Sequence, residues 1–235
     1  MDWAKHRRRK AAAKMHLRLD LASFLPSFVL VKEASTHDST EARALCHTIK
    51  AGEIVLFDKA YLDFKHLYEL DQKDIFWVTR SKENMVYTVF KINSPKGTGI
   101  LKDELICLTS PKTKDQYPHC LRLITAEVSV NGEMKTMTFL SNNLEWAASS
   151  ICDLYKARWA IEVFFKQLKQ TLKLSDFLGY SKQAVQWQIW TSLLTYVLLR
   201  FIAFKSKWKS SFSRLFTTIR GVLWSHVDLF RLLAR

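Results

Sequence analysis

The order of strand-like and helix-like patterns most restricts the fold of this sequence. Up to about residue 81, apolar runs such as IVLF and IFWVTR alternate with helical patterns, which is typical of an α/β layer. Residues 82–141 instead carry alternating runs separated by Pro, Gly and Asn: MVYTVFKI, ELICLT, LRLITAEVSV and MKTMTFLS. These runs predict an antiparallel β insertion. From Leu144 onward the pattern is almost entirely helical, with breaks near Gly179 and Lys207.

These changes of pattern divide the chain into four predicted parts. They are a first part of the core, a β insertion, a core helix and a C-terminal helical region, at 1–81, 82–143, 144–180 and 181–235. Within the first part, two β-rich runs around the breaker Pro26 predict adjacent strands. A helical pattern follows, and Gly52 is its expected stop.

The charge balance indicates a polyanionic partner. Lys and Arg outnumber Asp and Glu by 36 to 22, for a net charge of +14, which favours DNA or RNA and leaves an anionic membrane as the alternative. The four cysteines form no zinc-like spacing, so we expect free thiols in a reducing cytoplasm. The stretch WQIWTSLLTYVLLRFIAF is nearly long enough to span a membrane, but Gln188 and Arg200 interrupt it. A largely buried helix is expected there.

The stretch YKARWAIEVFFKQLKQTLKL combines an apolar stripe with a row of cations around a single carboxylate, Glu162. On a continuous helix, six of its polar residues would lie within roughly 80° of one face. These are Tyr155, Arg158, Glu162, Lys166, Lys169 and Lys173. One interpretation is a surface helix in which Glu162 pairs with Arg158 and Lys166, each pair worth about 0.2–0.5 kcal/mol. The other is a metal-binding carboxylate beside cations that hold a nucleic-acid backbone.

A second acid, Asp58, follows an apolar strand at the edge where ligand-binding groups of α/β sheets usually gather. Taken alone, it is equally typical of an N-cap for the following helix. An acid at a strand end and an acid on a helix suit Mg²⁺, which prefers hard oxygen ligands. Two such ions can clamp the attacking and leaving oxygens of an in-line phosphoryl displacement.

The four residues Tyr155, Arg158, Glu162 and Lys169 reproduce a Y-x2-R-x3-E-x6-K signature. On this signature the chain resembles the insertion-sequence-four family of bacterial DDE transposases. The blocks WAKHRRRKAAAKMHLRLD, THDS and GEIVLFDKAYLD add to the similarity, and the last looks like the family block that carries the second acid. The resemblance implies a ribonuclease-H-like mixed sheet and an activity in DNA transposition. That activity is metal-dependent cleavage of transposon ends, followed by strand transfer to target DNA.

The resemblance also assigns roles to individual residues. It makes Asp58 and Glu162 catalytic metal ligands, with Mg²⁺ expected and Mn²⁺ as a substitute. The expected DNA-binding residues are Tyr155, Arg158, Lys169, Lys166, Lys173, Arg8 and Arg9, although the two N-terminal arginines also fit a solvated tail. Such phosphate contacts position DNA without specifying its sequence. Transposon-end DNA and target DNA are the implied partners, together with a second copy of the chain if the protein is intact. The implied place is the bacterial cytoplasm, close to the nucleoid and away from membranes.

The first of the three family acids belongs to a strand that precedes the WAKHRRRK block, and that block here directly follows Met1 and Asp2. Neither Asp2 nor Asp20 occupies the motif of that acid. The sequence therefore predicts an N-terminally truncated sheet without its first strand, and a weakly active or inactive transposase. The alternative is a non-catalytic remnant that binds DNA, dimerises and interferes with an intact transposase.

Overall fold

The computed structural model describes residues 13–33, 38–130, 132–174, 176–179 and 181–233. Contacts divide the described chain into two compact units. The sheet unit holds the described residues between His37 and Trp159, and the helical unit holds those before residue 37 and from Ala160 onward.

The sheet unit is built on a six-stranded sheet with the order β3-β4-β8-β7-β6-β5. Its strands are β3 (Ile54–Leu56), β4 (Phe76–Arg80), β5 (Tyr87–Asn93), β6 (Ile100–Leu108), β7 (Leu121–Val130) and β8 (Glu133–Ser141). Its helices are α1 (Asp38–Cys46), α2 (Phe64–Asp71), α3 (Pro111–Gln116) and α4 (Ala148–Ala157). Strands β3 and β4 are parallel, and every other neighbouring pair is antiparallel. This is the mixed α/β architecture that the sequence predicts.

Two apolar cores cover the two faces of this sheet. Successive side chains of a strand point to opposite faces, so the neighbours Trp77 and Val78 enter different cores, and both are fully buried. Trp77 packs with residues of α2 and with Tyr117, which directly follows α3, whereas Val78 packs with Ile151 and Tyr155 of α4. Helix α4 is thereby fixed against the face opposite to α2.

The four strands predicted for the β insertion are present, and they continue the sheet that β3 and β4 begin. Strand β8 returns to pair with β4, with Val78 opposite Ser141, so the backbone groups on that side of β4 are satisfied. The structure thus places these strands in the same unit as β3 and β4, whereas the sequence divides the chain near residue 82.

The helical unit begins with the antiparallel hairpin β1 (Ala13–Asp20) and β2 (Leu25–Glu33), which forms a separate two-stranded sheet. The adjacent strands confirm the prediction, but Pro26 is not the breaker, because it lies within β2 opposite Leu19. The chain turns earlier, where the Asp20 carboxylate accepts hydrogen bonds from the backbone N–H and the hydroxyl of Ser23 at 2.6 and 2.7 Å.

The rest of the helical unit consists of α5 (Ala160–Lys166), a π-helical turn (Gln167–Thr171), α6 (Lys182–Lys205), α7 (Phe212–Val222) and α8 (Leu229–Leu233). Phe164, Tyr196 and Leu215 belong to its core, against which the apolar side chains of the hairpin pack. The Tyr196 hydroxyl donates a 2.9 Å hydrogen bond to the Phe24 carbonyl and so joins α6 to the hairpin. The helix breaks predicted near Gly179 and Lys207 are confirmed.

The expectation that α6 is largely buried is wrong. Only 28% of its most apolar window is buried, although the helix is long and apolar enough to span a membrane. One face packs into the core through residues such as Ile189 and Tyr196, while much of the opposite face is exposed. Apolar composition alone does not distinguish a helix buried all round from one with an exposed apolar face.

We expect the stability of this protein to fall as the pH drops below about 6.5, because of His66. Burial lowers the pKa of His66, and the nearby Arg43 also lowers it, while the neighbouring Glu69 acts in the opposite direction. The unfolded chain therefore binds the proton more readily, and the free energy of unfolding should fall by up to about 1.4 kcal/mol per pH unit. Urea unfolding across this pH range measures the slope.

The variant His66→Gln should show a shallower pH slope, and His47→Gln, which changes an exposed histidine, should retain the wild-type slope. An unchanged slope in His66→Gln would show that the buried imidazole does not cause the pH dependence.

Candidate functional site

The edge of the sheet at which the parallel strands β3 and β4 end carries Asp58. Asp58 comes two residues after β3 and caps a short 3₁₀ turn, Lys59–Tyr61, by accepting a 3.1 Å hydrogen bond at Oδ1 from the Ala60 N–H. Its side chain is 45% exposed, and its second oxygen, Oδ2, lies 3.6 Å from a guanidinium nitrogen of Arg158. The carboxylate therefore caps the turn with one oxygen and presents the other to a cation.

Arg158 reaches Asp58 from the end of α4. Its guanidinium lies 5.4 Å from the centre of the Tyr155 ring, which is within the range of a cation–π contact. Its side chain is only 18% exposed, so the pairing with Asp58 is partly shielded from water. The fold thus brings Asp58, Tyr155 and Arg158 together from distant parts of the sequence.

Tyr155 is the buried member of this group. It is 7% exposed and packs against Phe139 of β8, with 5.0 Å between the ring centres. Burial raises the pKa of Tyr155, and Asp58 raises it further, whereas Arg158 and Arg80 lower it. With a net upward shift, the phenol stays protonated at neutral pH and its O–H remains a hydrogen-bond donor.

Arg80 is a member of this site that the sequence analysis missed. It is the last residue of β4, and its charge acts on the Tyr155 hydroxyl. The signal was present in the run IFWVTR, which ends in a cation at the same sheet edge as Asp58. The site in the sheet unit therefore contains two guanidinium groups, one carboxylate and one phenol.

The prediction of one continuous helix through the signature is wrong. Helix α4 ends at Ala157, and the chain tightens as the N–H groups of Arg158 and Trp159 bond to carbonyls only three residues back. After α5 the helix widens into the π-helical turn, and Lys173 lies beyond it with a positive φ of 56°. The polar residues consequently do not form one straight stripe.

Glu162 and the signature lysines belong to the helical unit. Glu162 lies in the first turn of α5, Lys166 ends that helix, and Lys169 places its ammonium 5.9 Å from the centre of the Phe165 ring. The first turn of a helix favours a carboxylate, because the backbone N–H groups there carry partial positive charge. Arg8 and Arg9 lie outside the described residues.

The residue types fit a divalent metal ion. Asp58 and Glu162 offer hard carboxylate oxygens and neither side chain is fully buried. Within the ranges that the structure describes, no three His, Cys, Asp or Glu side chains cluster as a ready metal site. In this structure the positive charge next to the Asp58 carboxylate is that of the Arg158 guanidinium.

Comparison with known proteins gives one consistent result. Residues 2–198 match a family model described as a transposase DDE domain. A putative transposase of Sinorhizobium fredii, y4zB, is 32% identical over 206 residues, which cover 86% of this chain and 56% of that protein. The probable transposase for insertion sequence element IS5377 of Geobacillus stearothermophilus is 25% identical over 216 residues, covering 91% of this chain and 55% of that protein.

The transposase InsG for insertion sequence element IS4 of Escherichia coli is also similar, with 24% identity over 196 residues, or 80% of this chain and 43% of that protein. The chain spans about half the length of the curated relatives it matches.

Proposed function

This chain belongs to the DDE transposase family, of the insertion-sequence-four type, and from that premise we propose that it acts in DNA transposition. Its mixed sheet and helices have the ribonuclease-H-like α/β fold of that family. The proposed reaction is cleavage of phosphodiester bonds at transposon ends, followed by transfer of the freed 3′ hydroxyl to target DNA. The observation that carries the proposal is the group of side chains at the sheet edge. There Asp58 lies 3.6 Å from a guanidinium nitrogen of Arg158, and that guanidinium contacts the ring of Tyr155.

Members of this family generally use divalent metal ions, and we propose Asp58 and Glu162 as ligands of Mg²⁺, with Mn²⁺ able to replace it. A bound ion stabilises negative charge on the attacking and leaving oxygens of a phosphoryl transfer. The backbone of the 3₁₀ turn keeps Asp58 in place through the Ala60 N–H, so the carboxylate is oriented before any ion arrives.

The cations of the site are proposed to bind the DNA backbone. The fork of Arg158 can hold two oxygens of one phosphate, and the Tyr155 ring beneath it limits the directions that the fork can take. Arg80 adds charge at the same edge. In the helical unit, Lys166, Lys169 and Lys173 supply further positive charge, and the N-terminal Arg8 and Arg9 are proposed as additional phosphate contacts.

The proposed partners are transposon-end DNA, target DNA and a second copy of the chain. The net charge of +14 supports a polyanionic partner. The proposed place of action is the bacterial cytoplasm at the nucleoid. Independence from membranes stays a prediction, because α6 has the length and composition of a span.

Replacing Arg158 with alanine should weaken binding to transposon-end DNA by about tenfold and reduce the salt dependence of binding by about one unit of slope. The variant loses one phosphate contact and therefore releases fewer counterions when it binds DNA. Fluorescence anisotropy with labelled end DNA at several salt concentrations gives both quantities. The DNA affinity of Arg158→Lys should lie between those of the wild-type chain and Arg158→Ala, because an ammonium cannot bind two phosphate oxygens in the two-pronged way of a guanidinium.

The matched control is Arg214→Ala, which removes an exposed arginine of α7 with the same change of net charge. Equal losses of affinity in Arg158→Ala and Arg214→Ala would attribute the effect to overall charge and contradict the proposed contact.

Nicking of supercoiled plasmid that carries the terminal repeats of the encoding element tests the proposed activity. We expect weak nicking that depends on Mg²⁺, occurs at the repeats and disappears with a chelator. Binding to the repeats without any metal-dependent nicking would contradict the catalytic proposal and favour the non-catalytic alternative.

A further inference from the structure

Two of the four cysteines lie side by side on neighbouring strands of the sheet. Cys107 belongs to β6, and Cys120 directly precedes β7. The two strands are antiparallel, with Ile106 opposite Leu121, so the next step along the ladder brings Cys107 opposite Cys120. The two sulfur atoms are 3.1 Å apart, within hydrogen-bonding distance. We call these two residues the thiol pair.

The position of the thiol pair suits a disulfide bond. Residues directly opposite each other on antiparallel strands have Cα atoms about 4.5–5.5 Å apart. Disulfides usually join residues whose Cα atoms are about 4.4–6.8 Å apart. Both cysteines are half-buried, so a small reagent can approach their sulfur atoms. The two strands therefore need little rearrangement before an S–S bond forms.

The other two cysteines are less suited to oxidation. Cys46 is only 6% exposed and lies in an apolar core. Burial raises the pKa of the Cys152 thiol to about 11, with a smaller contribution from Asp153. Very little of Cys152 is therefore the reactive thiolate at neutral pH. The fold thus favours oxidation at the thiol pair.

A bond within the thiol pair closes the connection that carries α3. This connection leaves β6 after Leu108 and enters β7 at Leu121. Within it, Tyr117 is buried, with its ring centre 5.9 Å from that of Trp77 on β4. The sheet already holds both ends of the connection in the folded chain, so the bond mainly restricts the unfolded chain. Oxidation should therefore stabilise the folded protein.

We propose that Cys107 and Cys120 form a reversible redox modification site, which a low-molecular-weight disulfide such as oxidised glutathione converts into an intramolecular disulfide. One thiolate attacks the oxidant, which gives a mixed disulfide and releases one glutathione. The second cysteine then attacks the protein sulfur of the mixed disulfide and releases the other glutathione. The protein loses two protons and two electrons, and the oxidant is reduced to two thiols.

This site requires neither metal nor DNA, so it is independent of the proposed function. Disulfides of cytosolic proteins are usually transient, which agrees with a reversible bond. The pKa of Cys120 is raised, first by its hydrogen bond to Cys107 and then by burial. Because the thiolate is the attacking form, we expect oxidation to be slow at neutral pH and faster at higher pH.

Peptide mapping of the whole chain, equilibrated in buffers of reduced and oxidised glutathione, tests the site. Trypsin cuts after Lys112 and Lys114, so the thiol pair falls into two peptides, 103–112 and 115–122, which only a disulfide can join. We expect joined peptides from the wild-type chain. The equilibrium constant for this disulfide should be about a hundredfold larger in the folded chain than in the urea-unfolded chain. The oxidised chain should also melt about 5 °C or more above the reduced chain.

Cys107→Ser and Cys120→Ser should each lose the joined peptides and the shift in melting temperature. The matched control is Cys152→Ser, which removes another half-buried thiol of the sheet unit and should retain both. Equal equilibrium constants in the folded and the urea-unfolded chain would overturn the site. Oxidation that yields only mixed disulfides with glutathione, or only disulfides between two chains, would also overturn it.

Discussion

Replacing Asp58 with asparagine is expected to abolish the weak Mg²⁺-dependent nicking of transposon-end DNA that we propose for this chain. Asparagine can still accept the Ala60 N–H bond that holds the 3₁₀ turn, so the local backbone should be preserved. The substitution removes the negative charge that we assign to metal binding. It also removes the ion-pair partner of Arg158. Glu162→Gln should cause a loss of similar size.

The rate of nicking at saturating Mg²⁺, measured with the terminal-repeat plasmid, checks this prediction. The control is Glu133→Gln, because the Glu133 side chain is 75% exposed on β8 and pairs only with its neighbour Lys135 among the ion pairs described. Nicking by Asp58→Asn at the wild-type rate would exclude Asp58 as a metal ligand.

The second large effect concerns stability. Arg122→Ala is expected to lower the free energy of unfolding by about 3–5 kcal/mol, because it leaves the Asp103 carboxylate buried without its cation. The two side chains are only 7% and 5% exposed and form a two-pronged pair, with hydrogen bonds of 2.9 and 2.7 Å. Arg122 also donates to the carbonyls of Leu144 and Trp146, and so ties the sheet to the segment that leads into α4.

Burial acts to raise the pKa of Asp103, but hydrogen bonds from Arg122 and Asn93 outweigh it and leave the pKa lowered. The carboxylate is therefore charged at neutral pH and depends on its arginine. Urea unfolding measures the loss. Arg43→Ala is the matched control, since it breaks a pair with Glu69 whose side chains are 44% and 41% exposed, and should cost about 1 kcal/mol or less. Equal losses in the two variants would contradict the role of the buried pair.

Local patterns in the sequence predicted most of the strands correctly. Alternation of apolar and polar residues identifies β5 to β8, although β5, at the edge of the sheet, is exposed along most of its length. The partner of each strand depends on contacts between distant residues, which no local pattern contains. The sequence therefore did not indicate that β8 pairs with β4 and closes the predicted insertion onto the sheet.

The candidate site, like the sheet, depends both on local patterns and on contacts between distant residues. The signature identified Arg158 and Tyr155, and the strand end identified Asp58, yet nothing in the spacing indicated that Arg158 pairs with Asp58. The tight turn at Arg158 and Trp159 contains neither Pro nor Gly, so helical periodicity continues through it in the sequence. The two helices that flank this turn contribute to different cores, which no local pattern in the sequence indicates.

Titration with Mn²⁺, followed by the loss of its free-ion electron paramagnetic resonance signal, tests most directly whether Asp58 and Glu162 both ligate metal. We predict that the wild-type chain binds Mn²⁺, that Asp58→Asn and Glu162→Gln each weaken binding by about tenfold or more, and that Glu133→Gln does not. Equal Mn²⁺ binding by the wild-type chain and both variants would contradict the assignment of these carboxylates as metal ligands.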